Sequence, residues 1–206
     1  MIKYELINGV GKITLNRAEK YHSFIREMAL QLQDVLDRCK EDNKVRAILI
    51  TATGKAFCAG QDLDEAIDPS IPSISKIIQE HYIPIVRKIR NMEKPVVAAV
   101  NGVAAGAGAS IALCCDIVVA TESASFVQAF SKIGLVPDSG VTYFLPRLVG
   151  MQRATALMMT AEPVSATDAV NMGMIYKVFP DDTFADESWK LVSKLSKMPT
   201  KGLGLT

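Results

Sequence analysis

Cysteine, histidine and net charge are all scarce in this sequence, and each scarcity closes off a class of function. Four cysteines and two histidines occur in 206 residues. Cys39, Cys58, Cys114 and Cys115 show no C-x-x-C spacing and no histidine cluster nearby. Neither a disulfide framework nor a metal site is expected, and a reducing, cytoplasmic setting is the default. The formal net charge is +1, with basic residues scattered among acidic ones. That argues against a polyanion-binding face, so no nucleic-acid partner is expected. The N-terminal stretch MIKYELINGVGKITLNR lacks the apolar core of a signal peptide. The longest apolar run, PVVAAVNGVAAGAGASIALCC, is broken by Asn101 and by glycines at 102, 106 and 108. It reads as a buried strand, a turn and a buried helix, and no membrane partner is expected. Internal repeats, low-complexity tracts and linkers are also missing.

What is present is an ordinary globular composition, 49% hydrophobic and 22% charged, in a chain long enough for one sizeable core. KYELI and GKITLNR flank Asn8-Gly9, a hairpin signal. Helical spacing runs from Ser23, a candidate N-cap, to about Asp42, with Ile25, Met28, Leu32, Leu36 and Cys39 on one face. Residues 45–53 (VRAILITAT) read as a strand buried on both sides, and about 73–92 as a helix kinked or divided at Pro84. KPVVAAVNG is a further buried strand, AGAGASIALCC a helix, DIVVAT a strand and ASFVQAF a shorter strand. Helices are expected at 141–149, 151–161 and 165–172, then a strand YKVF and a helix over 182–197. This alternation predicts one α/β domain with mostly parallel strands bracketed by helices.

Two glycine-rich turns follow buried strands. In AFCAGQDL, Gly60 allows a sharp bend that frees the Gln61 amide. In NGVAAGAGAS, Gly106 and Gly108 flank Ala107 at a helix start. Free N–H groups at such turns favour developing negative charge, and two of them converging on one carbonyl oxygen would form an oxyanion hole. The same small residues also suit plain packing of a helix against a sheet, and spacing alone does not choose. The G-x-G-x-x-G spacing of a dinucleotide loop is absent. A third stretch, GLVPDSG (134–140), sets a single carboxylate, Asp138, among apolar residues and glycines. It is either good turn chemistry or a proton shuttle in an apolar pocket.

Four stretches, NRAEKYHSF, AFCAGQDL, KPVVAAVNGVAAGAGAS and FSKIGLVPDSGVTYFLPRLVG, stand in the order found in the crotonase (enoyl-CoA hydratase/isomerase) superfamily. The resemblance runs from the first strand to KMPTKGLGL near the end. It implies a spiral of ββα units forming a core over 1–200, with 201–206 opening a C-terminal helical region. In the family such helices cover the acyl pocket and help build trimers, so a homotrimer or hexamer is implied where they are present. The implied substrate is a coenzyme A thioester, with coenzyme A part of the substrate and no separate cofactor. Its carbonyl oxygen would be held by the amides of Gln61 and Ala107. The region around Lys20 and the loop Ala59, Gly60, Gln61 and Asp62 would cradle the CoA, with Gly106, Ala107 and Phe130 beside the thioester. Asp62 would also order its own loop, and Asp64 is expected to be solvated.

Hydratase-type members carry two glutamates that activate water; the corresponding positions here are Ser110 and Phe130. Isomerases need one carboxylate, and the LVPDSG loop falls where several of them place it. The resemblance therefore implies an acyl-CoA isomerase with Asp138 as acid and base, its pKa raised by Leu135, Val136 and Phe130. The subgroup with the strongest likeness acts on the ring epoxide of phenylacetyl-CoA in phenylacetate breakdown and also shifts double bonds in acyl-CoAs. Phe126, Phe130 and Ile133 would wall an acyl or aryl group, or serve as ordinary core. Two motifs depart from the family: NRAEKYH replaces NRPEKLN, and Val141 replaces the usual second glycine. The alternatives are a hydratase or other crotonase reaction, and a non-catalytic acyl-CoA-binding protein. His22 and His81 carry no motif, and Cys58 reads as a small buried filler.

Overall fold

The computed structural model describes residues 1–68 and 73–206. Strands β1 (Ile2–Ile7) and β2 (Val10–Leu15) form the expected hairpin, with Asn8 and Gly9 at φ 50° and 83°, the paired positive values of a tight hairpin turn. Helix α1 (Arg26–Glu41) leads to β3 (Ala47–Ala52) and β4 (Ala56–Cys58). Helices α2 (Leu63–Ala66) and α3 (Ile74–Ile77), a π turn (Ile78–Tyr82) and α4 (Ile83–Arg90) follow. Next come β5 (Val96–Val100), β6 (Val103–Ala105), α5 (Ala107–Leu113), β7 (Ile117–Thr121) and β8 (Ser125–Val127). A 3-10 turn (Ala129–Ile133) opens onto α6 (Val141–Val149) and α7 (Met151–Thr160). The chain continues through β9 (Val164–Ser165), α8 (Ala166–Asn171), β10 (Lys177–Phe179), α9 (Phe184–Ser196) and α10 (Thr200–Gly204).

The strands make two sheets, in the orders β1-β2-β3-β5-β7-β10 and β4-β6-β8-β9. Every pairing is parallel except β1 with β2 and β8 with β9. The pairs β3/β4, β5/β6 and β7/β8 each send one strand to the large sheet and the next to the small one. With α2–α4 after β4, α5 after β6 and α6 after β8, this is the spiral of ββα units that the family resemblance implies. Side chains in the large sheet alternate between two cores. Ile48, Ile50, Val96, Ala98, Val118 and Ala120 belong to the larger core, which also takes in α1, α4 and α5, while Ala47, Leu49, Val97, Ala99 and Val119 belong to a second core with α9. Burial on both faces is why these strands read as unbroken apolar runs.

Local reading and structure differ in four places. Ser23 is not an N-cap: α1 starts at Arg26 after Ile25, without a cap from its own loop. The Arg26 N–H is satisfied from afar by Glu65 Oε1 at 2.8 Å, while Ser23 Oγ lies 3.0 Å from the Arg17 guanidinium. The helix read over 73–92 is interrupted by the π turn. Pro84 has no N–H for the Glu80 carbonyl four residues back, and Gln33 Nε2 donates to that carbonyl instead, at 2.8 Å. Strands β6 and β9 are too short to show periodicity and exist through their lateral pairing. Finally, Val136 is 79% exposed and contributes nothing to the desolvation of Asp138. At the far end, α10 begins at Thr200 and a Cβ on Gly204 would lie 2.5 Å from Glu93 O, so this last helix is seated directly on the body of the protein.

Candidate active site

Two glycines bring the strand ends together. Gly60, just past β4, has φ 93°, and a Cβ there would lie 3.0 Å from Ala105 O and 3.4 Å from Ala107 N. Gly108, in the first turn of α5, is tighter still, because its Cβ would lie 2.4 Å from Cys58 O. Only glycine permits both approaches. The start of α5 is thereby seated against the end of β4, and Gln61 and Ala107 reach the same cavity.

The peptide planes decide where the two N–H groups point. The Gly60 carbonyl accepts from the Phe24 N–H at 2.7 Å, and the Asp62 N–H donates to the Phe24 carbonyl at 2.9 Å. The Gln61 N–H belongs to the same rigid peptide as the Gly60 carbonyl and so points the opposite way, outside this ladder. Ala107 follows the same logic. Its peptide partner, the Gly106 carbonyl, accepts from the Ser110 N–H at 3.0 Å and from Ser110 Oγ at 3.0 Å. As the first residue of α5, Ala107 has no intrahelical acceptor for its own N–H.

Both residues line a cavity of about 290 Å³ together with Ala59, Gly60, Gly106, Phe130 and Asp138. Its walls are apolar, with Leu63, Ile77, Ile78, Ile133 and Leu135 among them. Among the described residues Asp138 is the one carboxylate in that lining, and Lys132 the one cation. Asp138 also opens a turn: its carbonyl accepts from Val141 N–H at 3.1 Å, across Ser139 and Gly140 at φ 53° and 78°. This residue therefore both opens a turn and lines the apolar cavity. Burial raises the Asp138 pKa above its ordinary value, with the Ser139 hydroxyl, 2.8 Å from Oδ1, opposing the shift.

Of the remaining sequence-derived candidates, most lie elsewhere. Asp62 is buried outside the cavity lining: its side chain caps α2, accepting from Asp64 N–H and Glu65 N–H, and pairs with Arg17 at 2.6 Å. Burial alone would raise its pKa, but the Arg17 and backbone hydrogen bonds hold it below the usual value. Lys20 is also outside the lining, in an exposed ion pair with Asp64 at 3.0 Å. Phe126 is core, whereas Phe130 and Ile133 wall the cavity. Burial pushes the Cys58 thiol up to about 12, which leaves it a filler. Neither histidine lines the cavity; the His22 ring bridges the Arg17 N–H and the Thr53 carbonyl.

Sequence reasoning missed Tyr82, Glu65 and Arg17. Tyr82 is 1% exposed yet lines the cavity. Its hydroxyl donates to Gln61 Oε1 at 2.7 Å, and Gln61 Nε2 donates to Glu65 Oε2 at 2.7 Å. Burial, followed by the charges of neighbouring acids, drives its pKa well above the ordinary phenol value. In the sequence it reads as one more apolar position ahead of Pro84, and no motif marks it.

Comparison with known proteins gives a consistent picture. The family model described as enoyl-CoA hydratase/isomerase matches residues 5–203. The chain is 47% identical over 200 residues to the 1,2-epoxyphenylacetyl-CoA isomerase of Escherichia coli (strain K12), covering 96% of this chain and 76% of that protein. It is 42% identical over 189 residues to a protein of Rhodobacter capsulatus named "Probable enoyl-CoA hydratase", covering 92% of this chain and 72% of that protein. The solved structure of an enoyl-CoA hydratase/isomerase from Pseudoalteromonas atlantica T6c superposes with a TM-score of 0.91 at 35% identity, over 99% of this chain and 80% of the other.

Proposed function

The chain belongs to the enoyl-CoA hydratase/isomerase family, and on that premise we propose that it isomerises acyl-CoA thioesters, moving a proton with Asp138 while the Gln61 and Ala107 N–H groups hold the thioester oxygen. The observation that carries this reading is an apolar cavity in which, among the described residues, Asp138 is the one carboxylate, and which is also lined by Gln61 and Ala107, whose backbone N–H groups point away from the bonds that hold their peptides. The hydratase pair has no counterpart here. Ser110 spends its hydroxyl on the Gly106 carbonyl and Phe130 is a buried wall.

The chemistry follows from these parts. With a 3-enoyl-CoA bound, the Asp138 carboxylate takes a proton from C2, and the electron pair released moves onto the thioester oxygen. Two preoriented N–H groups stabilise that charge more in the transition state than in the ground state; loss of one such donor costs about 10²–10³ in rate. The protonated Asp138 then delivers its proton to C4, and the double bond shifts to C2–C3. An apolar site makes the carboxylate the stronger base it needs to be for the first step. The ring epoxide of phenylacetyl-CoA is the second substrate class, supported by likeness to the isomerase of that name, and it would place the enzyme in phenylacetate catabolism. The CoA portion enters as part of the substrate. Assembly as a trimer, or a dimer of trimers, and a cytoplasmic location complete the reading. None of the helices, searched over the described residues, is long and apolar enough to cross a membrane.

The test compares the parent with Asp138→Asn on a 3-enoyl-CoA and on the ring epoxide, following products by mass and absorbance and acyl-CoA binding by calorimetry. An isomer of unchanged mass, lost in the variant while binding persists, is the expected result. With a 2-enoyl-CoA supplied in parallel, a product heavier by one water, formed equally by both proteins, would establish the hydratase reading that the Rhodobacter relative's name favours. Binding without turnover in either would make the protein a carrier of acyl-CoA.

A further inference from the structure

The side chain of Gln61 is held as closely as its backbone. Its oxygen accepts from the Tyr82 hydroxyl and its nitrogen donates to the Glu65 carboxylate, each at 2.7 Å, with the Asp62 carbonyl a further acceptor of that nitrogen at 3.3 Å. The Tyr82 ring packs edge-on against Phe24, with ring centroids 5.9 Å apart. Phe24 in turn holds the Gly60 carbonyl and the Asp62 N–H, on either side of Gln61. A single buried tyrosine thus touches both restraints on the Gly60–Gln61 peptide. That peptide needs restraint, because Gly60 has no Cβ and its dihedrals are soft.

We propose that Tyr82 is a positioning residue, whose hydroxyl, through the Gln61 side chain, fixes the direction of the Gln61 N–H toward the thioester oxygen. The inference rests on the isomerase reading only in taking an acyl-CoA thioester as the ligand and that N–H as a donor to its carbonyl. Tyr82 itself moves no proton to substrate. Glu65 completes the clamp, and because its other oxygen accepts the Arg26 N–H, the clamp is anchored to the first residue of α1.

Tyr82→Phe keeps the ring contact with Phe24 and removes only the hydroxyl. Gln61→Met removes the acceptor while keeping side-chain length. The expected result for Tyr82→Phe is a roughly tenfold fall in kcat, with KM within about twofold, since the donor is loosened rather than lost. A second readout needs no turnover: difference infrared spectra of a bound saturated acyl-CoA. In the parent the thioester carbonyl band shifts to lower frequency, and in Tyr82→Phe it returns part of the way toward the free value. The double variant loses no more than Gln61→Met alone, because both changes cut one link. A folded Tyr82→Phe with parental kcat and carbonyl band overturns the proposal. Should that variant not fold, unchanged kcat and band in Gln61→Met overturn it equally. A parent that polarises the carbonyl without moving a double bond refutes the isomerase reading and leaves the positioning role intact. A parent that leaves the carbonyl unpolarised refutes both.

Discussion

Replacing Gly108 by alanine tests whether the seat of α5 on β4 sets the geometry of the site. The added Cβ would lie 2.4 Å from Cys58 O, 2.6 Å from Cys58 Cβ and 2.7 Å from Cys58 Sγ, against the 3.4 Å at which ordinary contact begins. Relief therefore requires about 1 Å of movement, and the carbonyl of a buried strand end is not free to swing. The start of the helix has to move instead, and Ala107, one residue earlier, moves with it. A misplacement of about 1 Å in a catalytic group costs on the order of 10² in rate. Overpacking costs about 1–3 kcal/mol, offset in part by the roughly 1 kcal/mol advantage of alanine over glycine in a helix. The expected variant is thus folded, weaker by about 1 kcal/mol, and about 10²-fold slower in kcat. Turnover of a 3-enoyl-CoA and urea unfolding, measured together, give both numbers. Gly202→Ala is the control: it lies in α10 and a Cβ there meets only Pro199 Cβ, at 3.9 Å, so full turnover and unchanged or higher stability are expected. A folded Gly108→Ala enzyme whose kcat stays within about threefold of the parent would refute the argument.

Asp138→Asn should raise stability as it abolishes turnover. Burial holds the folded-state pKa of Asp138 above its unfolded value, so what this group contributes is complete below the ordinary carboxylate pKa and is lost as pH rises through the raised one. The variant is then more stable at neutral pH by about 1 kcal/mol, a gain that shrinks on acidification; thermal midpoints across pH 3–8 report it. Arg17→Met leaves the Asp62 carboxylate buried without its 2.6 Å partner, a loss of about 3 kcal/mol that urea unfolding will show. Burial lowers the pKa of both His22 and His81. Each contributes stability that is present above the unfolded imidazole pKa and lost as pH falls below it. His22→Asn keeps a side-chain acceptor for the Arg17 N–H and a residue type at ease with φ 56°. It is expected to flatten the decline in urea midpoint between about pH 7 and 5.

The sequence by itself determined the large sheet, most helices and the glycine turns that line the cavity. Apolar runs such as 47–50 and 96–100 have to be buried on both faces, Asn8-Gly9 has to turn, and Gly60, Gly106 and Gly108 follow buried strands where backbone crowding is expected. These are local signals, set by neighbours along the chain. Ser23 failed as a cap because Arg26 found a remote carboxylate, Glu65, whose presence no local pattern announces. The same holds for the π turn, whose orphaned Glu80 carbonyl is rescued by Gln33, 47 positions away in the chain.

Only the tertiary structure decided which small residues meet. It seated Gly108 on Cys58, turned the Gln61 and Ala107 peptides by the donors that hold the carbonyls on their far sides, and drew Asp62 away from the cavity into an ion pair with Arg17. It also brought Tyr82 against Gln61. All of these contacts except the Ser110–Gly106 bond join segments far apart in the chain. Their geometry is set by how helices and sheets close on a shared core, and no spacing along one strand or helix encodes it.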